Sequence, residues 1–345
     1  MLLEFRENGI YCPQADIYID PWRPVERALI THGHADHSRW GHKYYLSTKS
    51  AMPVIRYRLG GDINIQTVDY GEETIINGVR FSFHPAGHII GSAQIRVEYK
   101  GEVWVASGDY KVEDDGISEV FEPVRCHTFI TESTFGLPIY SWQPQQDIFD
   151  DINGWWKLNQ AQDKVTVITG YALGKAQRII QHLDDSLGTI YTHGAVENIN
   201  EVLRSQGVNL KPTARVTPDI PKENFKGNIV VATPSAVGSS WMRKFLPYSV
   251  GVASGWMRLR GARRRRSVDR GFSLSDHADW DGLNQAIEWT GAERVFVTHG
   301  YTTTFSKWLN EKGIEAGRVE TQFEGELEEM GEGVEKGRRE EGEEA

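Results

Sequence analysis

The chain has 345 residues, 39% of them hydrophobic and 25% charged, which is typical of a globular protein with one large domain or two smaller ones. Its two cysteines, Cys12 and Cys126, exclude a disulfide framework and a cysteine-rich zinc site, so any metal must be bound by nitrogen and oxygen. No apolar run is long enough to span a membrane, and the start of the chain does not resemble a signal peptide, which predicts a cytoplasmic protein.

The net charge of −10 is unevenly distributed. Residues 324–345 hold ten Glu against three basic residues, a net −7, which leaves about −3 for all the others. This Gly- and Glu-rich tail cannot bury enough apolar surface to fold, so we predict that it is disordered. Residues 258–270, in contrast, are strongly basic. Such a segment suits a polyanionic partner, although a solvated basic loop explains it equally well.

The first 135 residues have mainly the pattern of β-strands, separated by turn sequences such as "GGD", "NG" and "KGE". The predicted strands are 16–20, 27–32, 79–86, 93–99, 102–109 and 128–133.

After about residue 137 the pattern alternates between strands and helices. Helical spacing around 148–156 precedes an apolar strand at 164–170, and two further strand–helix pairs follow. Alternation of this kind predicts a unit with a parallel sheet. The last predicted strand, 293–300, ends near His299 and is followed by a helical segment.

The segment "ITHGHADHS" places His32, His34, Asp36 and His37 within six positions, directly after an apolar run. Crowded imidazoles are poor core material, and their protonated forms would repel one another. A bound cation resolves both problems, and neutral imidazole and carboxylate suit zinc, with manganese or iron as alternatives.

Three later residues occupy positions where they could complete a metal site. His88 lies in a glycine-flanked turn after a strand, and Asp109 and His299 lie at predicted strand ends. Each of these residues, taken alone, could equally be an ordinary hydrogen-bonded polar residue at a strand end. Together with the first cluster, they predict a shared metal site.

The spacing His-x-His-x-Asp-His, with Asp20 before it and His88 and Asp109 after it, resembles the metal motifs of the metallo-β-lactamase superfamily. Glu132 in "TESTFG" and His277 in "SLSDHADW", followed by His299 in "VTHGY", resemble the extra motifs of its β-CASP nuclease branch. Within that branch the chain is most similar to the bacterial ligase-associated DNA exonucleases.

The resemblance implies an α/β fold, a four-layer αββα sandwich with the metal site at one edge between its two sheets. An α/β β-CASP domain would be inserted into it. The expected divisions are a first metallo-β-lactamase part, the inserted domain, a second metallo-β-lactamase part and the acidic tail, at 1–136, 137–270, 271–323 and 324–345.

The resemblance also implies two divalent metal ions, zinc or alternatively manganese. One would be bound by His32, His34 and His88, and the second by Asp36, His37 and His299. Asp109 would bridge them, Asp20 would support the loop from behind, and Asp36 also counts among the catalytic residues. Two metals about 3.5–4 Å apart can activate a water and stabilise both oxygens of a phosphodiester displacement.

His277 is the candidate general acid, because imidazole can donate a proton near neutral pH. By family analogy Glu132 would orient it, although alone Glu132 could be a turn or helix-capping carboxylate. We expect the flanking Asp276 and Asp279 to be structural, with either as an alternative partner of His277.

Several residues of the middle and basic segments could bind substrate. A Gly-Lys step opens the helix at 174–183, and hydroxyl and basic side chains follow the strand at 227–234. Trp241 and Trp256 could stack on bases but fit packing better. The predicted substrate-binding residues are Lys175, Ser235, Arg243, Lys244, Arg263, Arg264, Arg265 and Arg266.

The predicted function is therefore a DNA exonuclease of DNA repair, with a DNA ligase or helicase of the same pathway as a candidate partner. One departure favours RNA, because the Artemis-like DNA branch usually has an apolar residue where this chain has His299. An RNA-processing β-CASP nuclease is the first alternative. A small-molecule metallo-hydrolase and a catalytically dead nucleic-acid-binding scaffold are alternatives of other classes.

Overall fold

The computed structural model describes residues 1–259 and 268–322, so the acidic tail and the run Arg263–Arg266 lie outside the described residues. The protein is a mixed α/β structure in which three sheets are packed with helices. Within the described ranges, no helix combines the length and apolarity needed to cross a membrane.

The first sheet has six strands in chain order, β1 to β6. Its first three strands pair antiparallel and its last four pair parallel. Helix α1, Met52–Leu59, connects β5 to β6. The strands are Glu4–Arg6, Gly9–Cys12, Ile17–Ile19, Arg27–Leu29, Tyr44–Thr48 and Ile65–Val68.

Five strands, β7 to β11, begin the second sheet. β7 to β10 form an antiparallel meander, and β10 then pairs parallel with β11. The strands are Thr74–Ile76, Val79–Pro85, Ala93–Tyr99, Glu102–Ala106 and Thr128–Ser133.

The third sheet is entirely parallel, in the order β14-β13-β15-β12-β16-β17. This confirms the parallel α/β unit that the alternating middle segment predicts. Helices α2, α3 and α4 accompany it, at Gln145–Ala161, Lys175–His182 and Gly194–Ser205. The strands β12 to β17 are Val165–Thr169, Ile190–Thr192, Ala214–Arg215, Ile229–Ala232, Tyr248–Ala253 and Arg270–Phe272.

The chain then returns to the second sheet. β18 and β19, Arg294–Gly300 and Glu315–Arg318, extend it in parallel beside β11. Helix α5, Trp280–Thr290, precedes β18, and helix α6, Thr302–Glu311, follows it. The Asp279 carboxylate caps α5 by accepting a hydrogen bond from the backbone N–H of Gly282 at 2.8 Å.

Three apolar clusters hold the first two sheets and their helices together. Ile19 and Phe81 belong to a cluster shared by the facing sides of the first and second sheets. On its other side, the second sheet packs against α5 and α6, while the first sheet packs against α1 through Ile55. Burial of such faces is the main stabilising contribution in a domain of this size.

The pairing also determines where the polar motifs lie. The strands β10, β11 and β18 pair in parallel, and residues of the predicted site lie at or shortly after their carboxyl ends and shortly after the end of β4 in the first sheet. Ligand sites of parallel sheets form at the carboxyl ends of strands. The architecture therefore collects motifs that are more than 250 residues apart along the chain.

Candidate metal centre and relationship to known proteins

Asp109, which follows β10, lies at the centre of the predicted ligand set. Its Oδ2 atom is 3.4 Å from Nε2 of His37, 3.5 Å from Nε2 of His32 and 3.8 Å from Nε2 of His88. Its Oδ1 atom is 3.0 Å from Nε2 of His299. One buried carboxylate thus faces four imidazoles from three different parts of the chain.

The residues predicted to bind the first metal form a compact group. Nδ1 of His34 lies 3.0 Å from Nε2 of His88. Ligand atoms of His32, His34, His88 and Asp109 all lie within 4.8 Å of one another, an arrangement that could hold a metal ion. Nε2 of His32 is fully buried without a hydrogen-bond partner among residues 1–259 and 268–322, which is costly unless a cation binds it.

The protonation states of these histidines also fit a metal. Burial lowers the pKa of His32 and of His88 well below the usual value, with neighbouring histidines adding to the effect. Burial likewise lowers the pKa of His34 to about 4. All three rings are therefore neutral near pH 7, and neutral imidazole is the form that binds a metal.

Of the residues predicted to bind the second metal, His299 faces Oδ1 of Asp109, whereas His37 faces Oδ2, as His32 and His88 do. Nε2 of His37 is 3.7 Å from Oδ2 of Asp36. Burial lowers the pKa of His37, but Asp109 and Asp36 outweigh it and raise the value well above normal. Burial raises the pKa of Asp109, but the facing His37 and His299 lower it well below its normal value. The carboxylates thus favour a positive charge at this position.

Asp20 supports the ligand loop from behind. It has a φ of +41°, a left-handed conformation that Asp tolerates better than most residues. Its Oδ2 atom accepts a hydrogen bond from Nδ1 of His37 at 2.7 Å, and its Oδ1 atom accepts one from the backbone N–H of Thr31 at 2.8 Å. The Thr31 hydroxyl in turn lies 3.0 Å from Nδ1 of His32. These contacts turn Nε2 of both histidines toward Asp109.

Glu132 and His277 form a buried pair beside this cluster. Nδ1 of His277 lies 3.0 and 2.8 Å from the two carboxylate oxygens of Glu132, one of which also accepts the backbone N–H of Tyr110 at 2.8 Å. The His277 ring lies 4.6 Å from the His88 ring between centroids. Ligand atoms of Asp109, Glu132 and His277 are also close enough to form a metal-binding group of their own.

Sequence comparisons relate the chain to known proteins. It is 30% identical over 312 residues to a "Probable DNA ligase" of Opitutus terrae, an alignment that covers 90% of this chain and 30% of that protein. It is 30% identical over 129 residues to "Endoribonuclease ysh-1" of Neurospora crassa, which covers 36% of this chain and 15% of that protein. The chain is a homologue of the β-CASP metallo-β-lactamase nucleases. It spans less than a third of the length of either relative.

Two further comparisons concern the fold. No family model matches the chain. A crystal structure of a protein of unknown function from Enterococcus faecalis V583 superposes with a TM-score of 0.58 at 10% identity, covering 85% of this chain and 78% of that chain. At this identity the similarity concerns the fold alone.

The carboxylates flanking His277 have defined contacts of their own. Asp279 caps α5 and also accepts the backbone N–H of Trp142 at 2.8 Å. The backbone carbonyl of Asp276 accepts a hydrogen bond from Nδ1 of His88 at 2.8 Å, while its carboxylate lies 3.5 Å from Nη1 of Arg178. Glu132 is therefore the carboxylate that holds His277.

The predicted substrate-binding residues are dispersed. Lys175 is only 1% exposed, and its Nζ atom lies 3.9 Å from the Asp276 carboxylate, so it faces the interior instead of the solvent where a phosphate backbone would lie. Arg243 is exposed, whereas Lys244 donates a hydrogen bond to the Thr217 carbonyl and lies over the Phe225 ring. Trp241 and Trp256 pack against other aromatic rings.

Ser235 does lie near the metal cluster. It is exposed and lines a cavity of about 400 Å³ whose wall also includes His34, Tyr171 and Asn198. The Tyr57 hydroxyl accepts a hydrogen bond from Asn198 at 2.8 Å, which joins α1 to α4 at this cavity. A larger cavity of about 800 Å³ lies along β5 to β7 and includes none of the predicted ligands.

Sequence reasoning missed the groups that hold the ligands in place. Nη1 of Arg58 donates to the Gly33 carbonyl and to the Ser38 hydroxyl, both at 2.7 Å, and so ties the ligand loop to α1. The carbonyl of Leu173 lies 3.1 Å from Nε2 of His34. Backbone carbonyls leave no signal in a sequence. Thr31, in contrast, is the hydroxyl directly before His32 and could have been considered.

Proposed function

We propose that the chain is a metal-dependent nuclease that hydrolyses phosphodiester bonds of DNA, as an exonuclease in DNA repair. The observation that carries the proposal is the buried Asp109 carboxylate facing four histidines, with the Glu132–His277 pair at its side. A site built from these groups suits the hydrolysis of an anionic substrate better than any other chemistry available to the chain.

We propose the four-layer αββα sandwich with an inserted β-CASP unit as its architecture. The packing of α1 on the first sheet, of the two sheets on each other, and of α5 and α6 on the second sheet supports the sandwich. The all-parallel third sheet, formed between β11 and β18, supports the insertion at about residues 137–270. Cytoplasmic location also remains our proposal.

We propose that the donor set holds two divalent ions, zinc, with manganese as an alternative. His32, His34 and His88 would hold one ion, Asp36, His37 and His299 the other, and Asp109 both. Bound there, the ions would supply an acidified water and stabilise the developing charge on the phosphate oxygens. Asp20 would keep His37 in the tautomer that turns its Nε2 atom toward Asp109.

We propose that His277 is the residue that transfers the proton. Nδ1 of its ring faces Glu132, so Nε2 is the atom that would donate a proton to the leaving oxygen. The Glu132 carboxylate stabilises the protonated ring and fixes its orientation, and the backbone N–H of Tyr110 holds Glu132 in turn. We assign His277 to proton transfer by analogy with the β-CASP motifs, because a carboxylate at Nδ1 is equally usual for a metal-binding histidine such as the proposed ligand His37.

DNA is the proposed substrate because a relative that aligns with 90% of this chain is described as a probable DNA ligase. This also supports a ligase of the same pathway as a partner. RNA is the alternative, supported by His299 and by relatives described as endoribonucleases. Ser235 and the cavity beside His34 are proposed to contact the substrate near the reacting phosphate. Arg243 and Lys244 are proposed to contact the nucleic-acid backbone, and so are Arg263, Arg264, Arg265 and Arg266, which lie outside the described residues.

A panel of substrates tests this proposal. The metal-loaded protein is incubated with end-labelled single-stranded DNA, with RNA of the same sequence and with a chromogenic lactam. We expect stepwise shortening of the DNA, slower cleavage of the RNA and no reaction with the lactam. Preferred cleavage of RNA would replace DNA as the substrate, and hydrolysis of the lactam alone would overturn the nuclease assignment.

A further inference from the structure

We propose that residues 170–178, which comprise the turn Gly170–Gly174 and the first turn of α3, are a positioning segment for the metal centre. This segment belongs to the third sheet, yet it holds two of the ligand histidines and the chain around His277. The inference rests on the proposed function only in requiring that the site binds a metal.

The first contact of the positioning segment is with His34. Nε2–H of His34 donates to the Leu173 carbonyl at 3.1 Å, which leaves Nδ1 as the ring atom that faces His88 at 3.0 Å. A hydrogen bond to the second ring nitrogen determines both the tautomer and the orientation of a metal-binding histidine. The edge of the Tyr171 ring also packs against the His34 ring, with centroids 5.1 Å apart.

The position of the Leu173 carbonyl is defined by close packing at Gly174. Gly174 has a φ of +94°, and a Cβ atom there would lie 2.3 Å from Cγ2 of Ile89, the residue after His88. Leu173 is buried in the same apolar cluster as Ile89 and Val54. The turn can therefore approach the two ligand loops only because residue 174 has no side chain.

The second contact is with the segment 275–277. Nζ of Lys175 and Nη1 of Arg178 lie 3.9 and 3.5 Å from the Asp276 carboxylate, and Nη1 of Arg178 also donates to the Ser275 carbonyl at 2.7 Å. The backbone carbonyl of Asp276 in turn orients His88. Helix α3 thus holds the segment 275–277. This segment accepts a hydrogen bond from His88 and carries His277.

The burial of these cations supports a positioning role. Lys175 and Arg178 are each only 1% exposed, and buried cations are costly unless they are compensated by nearby carboxylates and carbonyls. Residues 275 and 276 supply part of this compensation, and Oε1 of Gln145 also accepts hydrogen bonds from Nε and Nη2 of Arg178. Consequently the metal site has its full geometry only when the third sheet is packed against the first two. The buried Lys175 contributes to this geometry through its contact with Asp276.

The Gly174→Ala variant tests the first contact, with Gly207→Ala as a matched control. Gly207 has a similar φ of +88°, but a Cβ atom there meets nothing within 4 Å, so this variant has the backbone strain without the collision. Affinity for Zn²⁺ is measured by chelator competition, and the visible spectrum of the Co²⁺-loaded protein reports ligand geometry. We expect about 10- to 100-fold weaker binding and an altered spectrum for Gly174→Ala, and neither change for Gly207→Ala.

The variants Lys175→Met and Lys175→Arg test the second contact. If Gly174→Ala does not fold, they test the positioning role on their own. We expect Lys175→Met to weaken Zn²⁺ binding and alter the Co²⁺ spectrum, and Lys175→Arg, which keeps the charge, to restore both in part. Circular dichroism and melting curves establish that each variant is folded. Folded variants with wild-type affinity and spectrum would overturn the positioning role. Normal metal binding without cleavage by the wild type would instead overturn the nuclease proposal.

Discussion

Asp109 is the residue on which the metal centre depends. It is 2% exposed and its two oxygens face the ring nitrogens of His32, His37, His88 and His299. A buried carboxylate shared by so many imidazoles is stable only with positive charge between them. Burial lowers the pKa of His37, but Asp109 and Asp36 raise it well above normal, which reflects this preference for a positive charge.

Replacing Asp109 by Asn keeps the size of the side chain and removes its charge. We expect loss of at least one bound ion and at least a 100-fold decrease in cleavage, because both proposed ions share this ligand. Elemental analysis of the purified variant and a cleavage assay measure the two effects. Asp115→Asn is the matched control, since Asp115 is also a buried aspartate, and within residues 1–259 and 268–322 its carboxylate bonds to Ile117 and Ser118 of its own loop. Normal turnover with two bound ions in Asp109→Asn would refute the bridging role.

Replacing His277 by Ala removes the proposed general acid and leaves the ligand set unchanged. We expect cleavage to slow by about 100- to 10,000-fold at nearly constant metal content. Glu132→Gln should have an effect in the same direction, because a neutral amide stabilises the protonated ring less well. A substrate with a better leaving group should restore part of the rate in both variants. Loss of metal from His277→Ala would make His277 a ligand instead.

The candidate ligands could be predicted from the sequence, because seven His and Asp residues occur in the order and spacing of a known motif set. It could not reveal that the carbonyls of Leu173 and Asp276 orient His34 and His88. Every residue has a carbonyl, so only the folded chain shows which one lies next to a ligand. The same holds for Lys175, whose charge and position at a helix start predicted substrate binding, whereas its side chain is buried beside Asp276.

At the scale of elements, the long apolar strands were predicted within a few residues. Strands 79–86, 93–99 and 128–133 correspond to β8, β9 and β11. The first two strands have only three and four residues, too short for a visible alternation. Helix α1 was missed because a proline lies in its first turn and only Val54 and Ile55 are buried, which gives little amphipathic pattern.

Helix α1 contributes to the site through Arg58. Replacing Arg58 by Met removes two hydrogen bonds from a charged donor to the ligand loop, at Gly33 and Ser38. We expect a decrease of about 1–3 kcal/mol in the free energy of unfolding and weaker metal binding. Denaturant titration and chelator competition measure these. Arg56→Met is the control, because Arg56 is exposed on the same helix. Equal behaviour of the two variants would exclude a role of Arg58 in the site.

At the scale of the whole molecule, the proposed metal site joins all three sheets. Its residues follow strands of the first and second sheets, and the third sheet contributes Leu173 and the segment around His277. Ions bound at such a junction should stabilise the complete fold and not only a loop, because they bind the folded state alone.

Removing the metals should therefore lower the melting temperature. An ion present at 100 times its dissociation constant contributes about 2.7 kcal/mol, which corresponds to a shift of several degrees for a protein of this size. Calorimetry with and without a strong chelator measures the shift, and adding Zn²⁺ should reverse it. The Asp109→Asn variant serves as the control and should respond little to the chelator. A wild-type melting temperature that does not depend on metal would argue against a site at this junction.

Stepwise metal reconstitution tests the central proposal most directly. The protein is stripped of metal and titrated with Zn²⁺ or Mn²⁺ while the cleavage of end-labelled single-stranded DNA is followed. We predict no cleavage by the metal-free protein, activity that requires two bound ions per chain, and mononucleotide products. Cleavage that is equal without metal, or intact DNA and RNA in the presence of protein with two bound ions, would contradict the assignment of this chain as a two-metal nuclease.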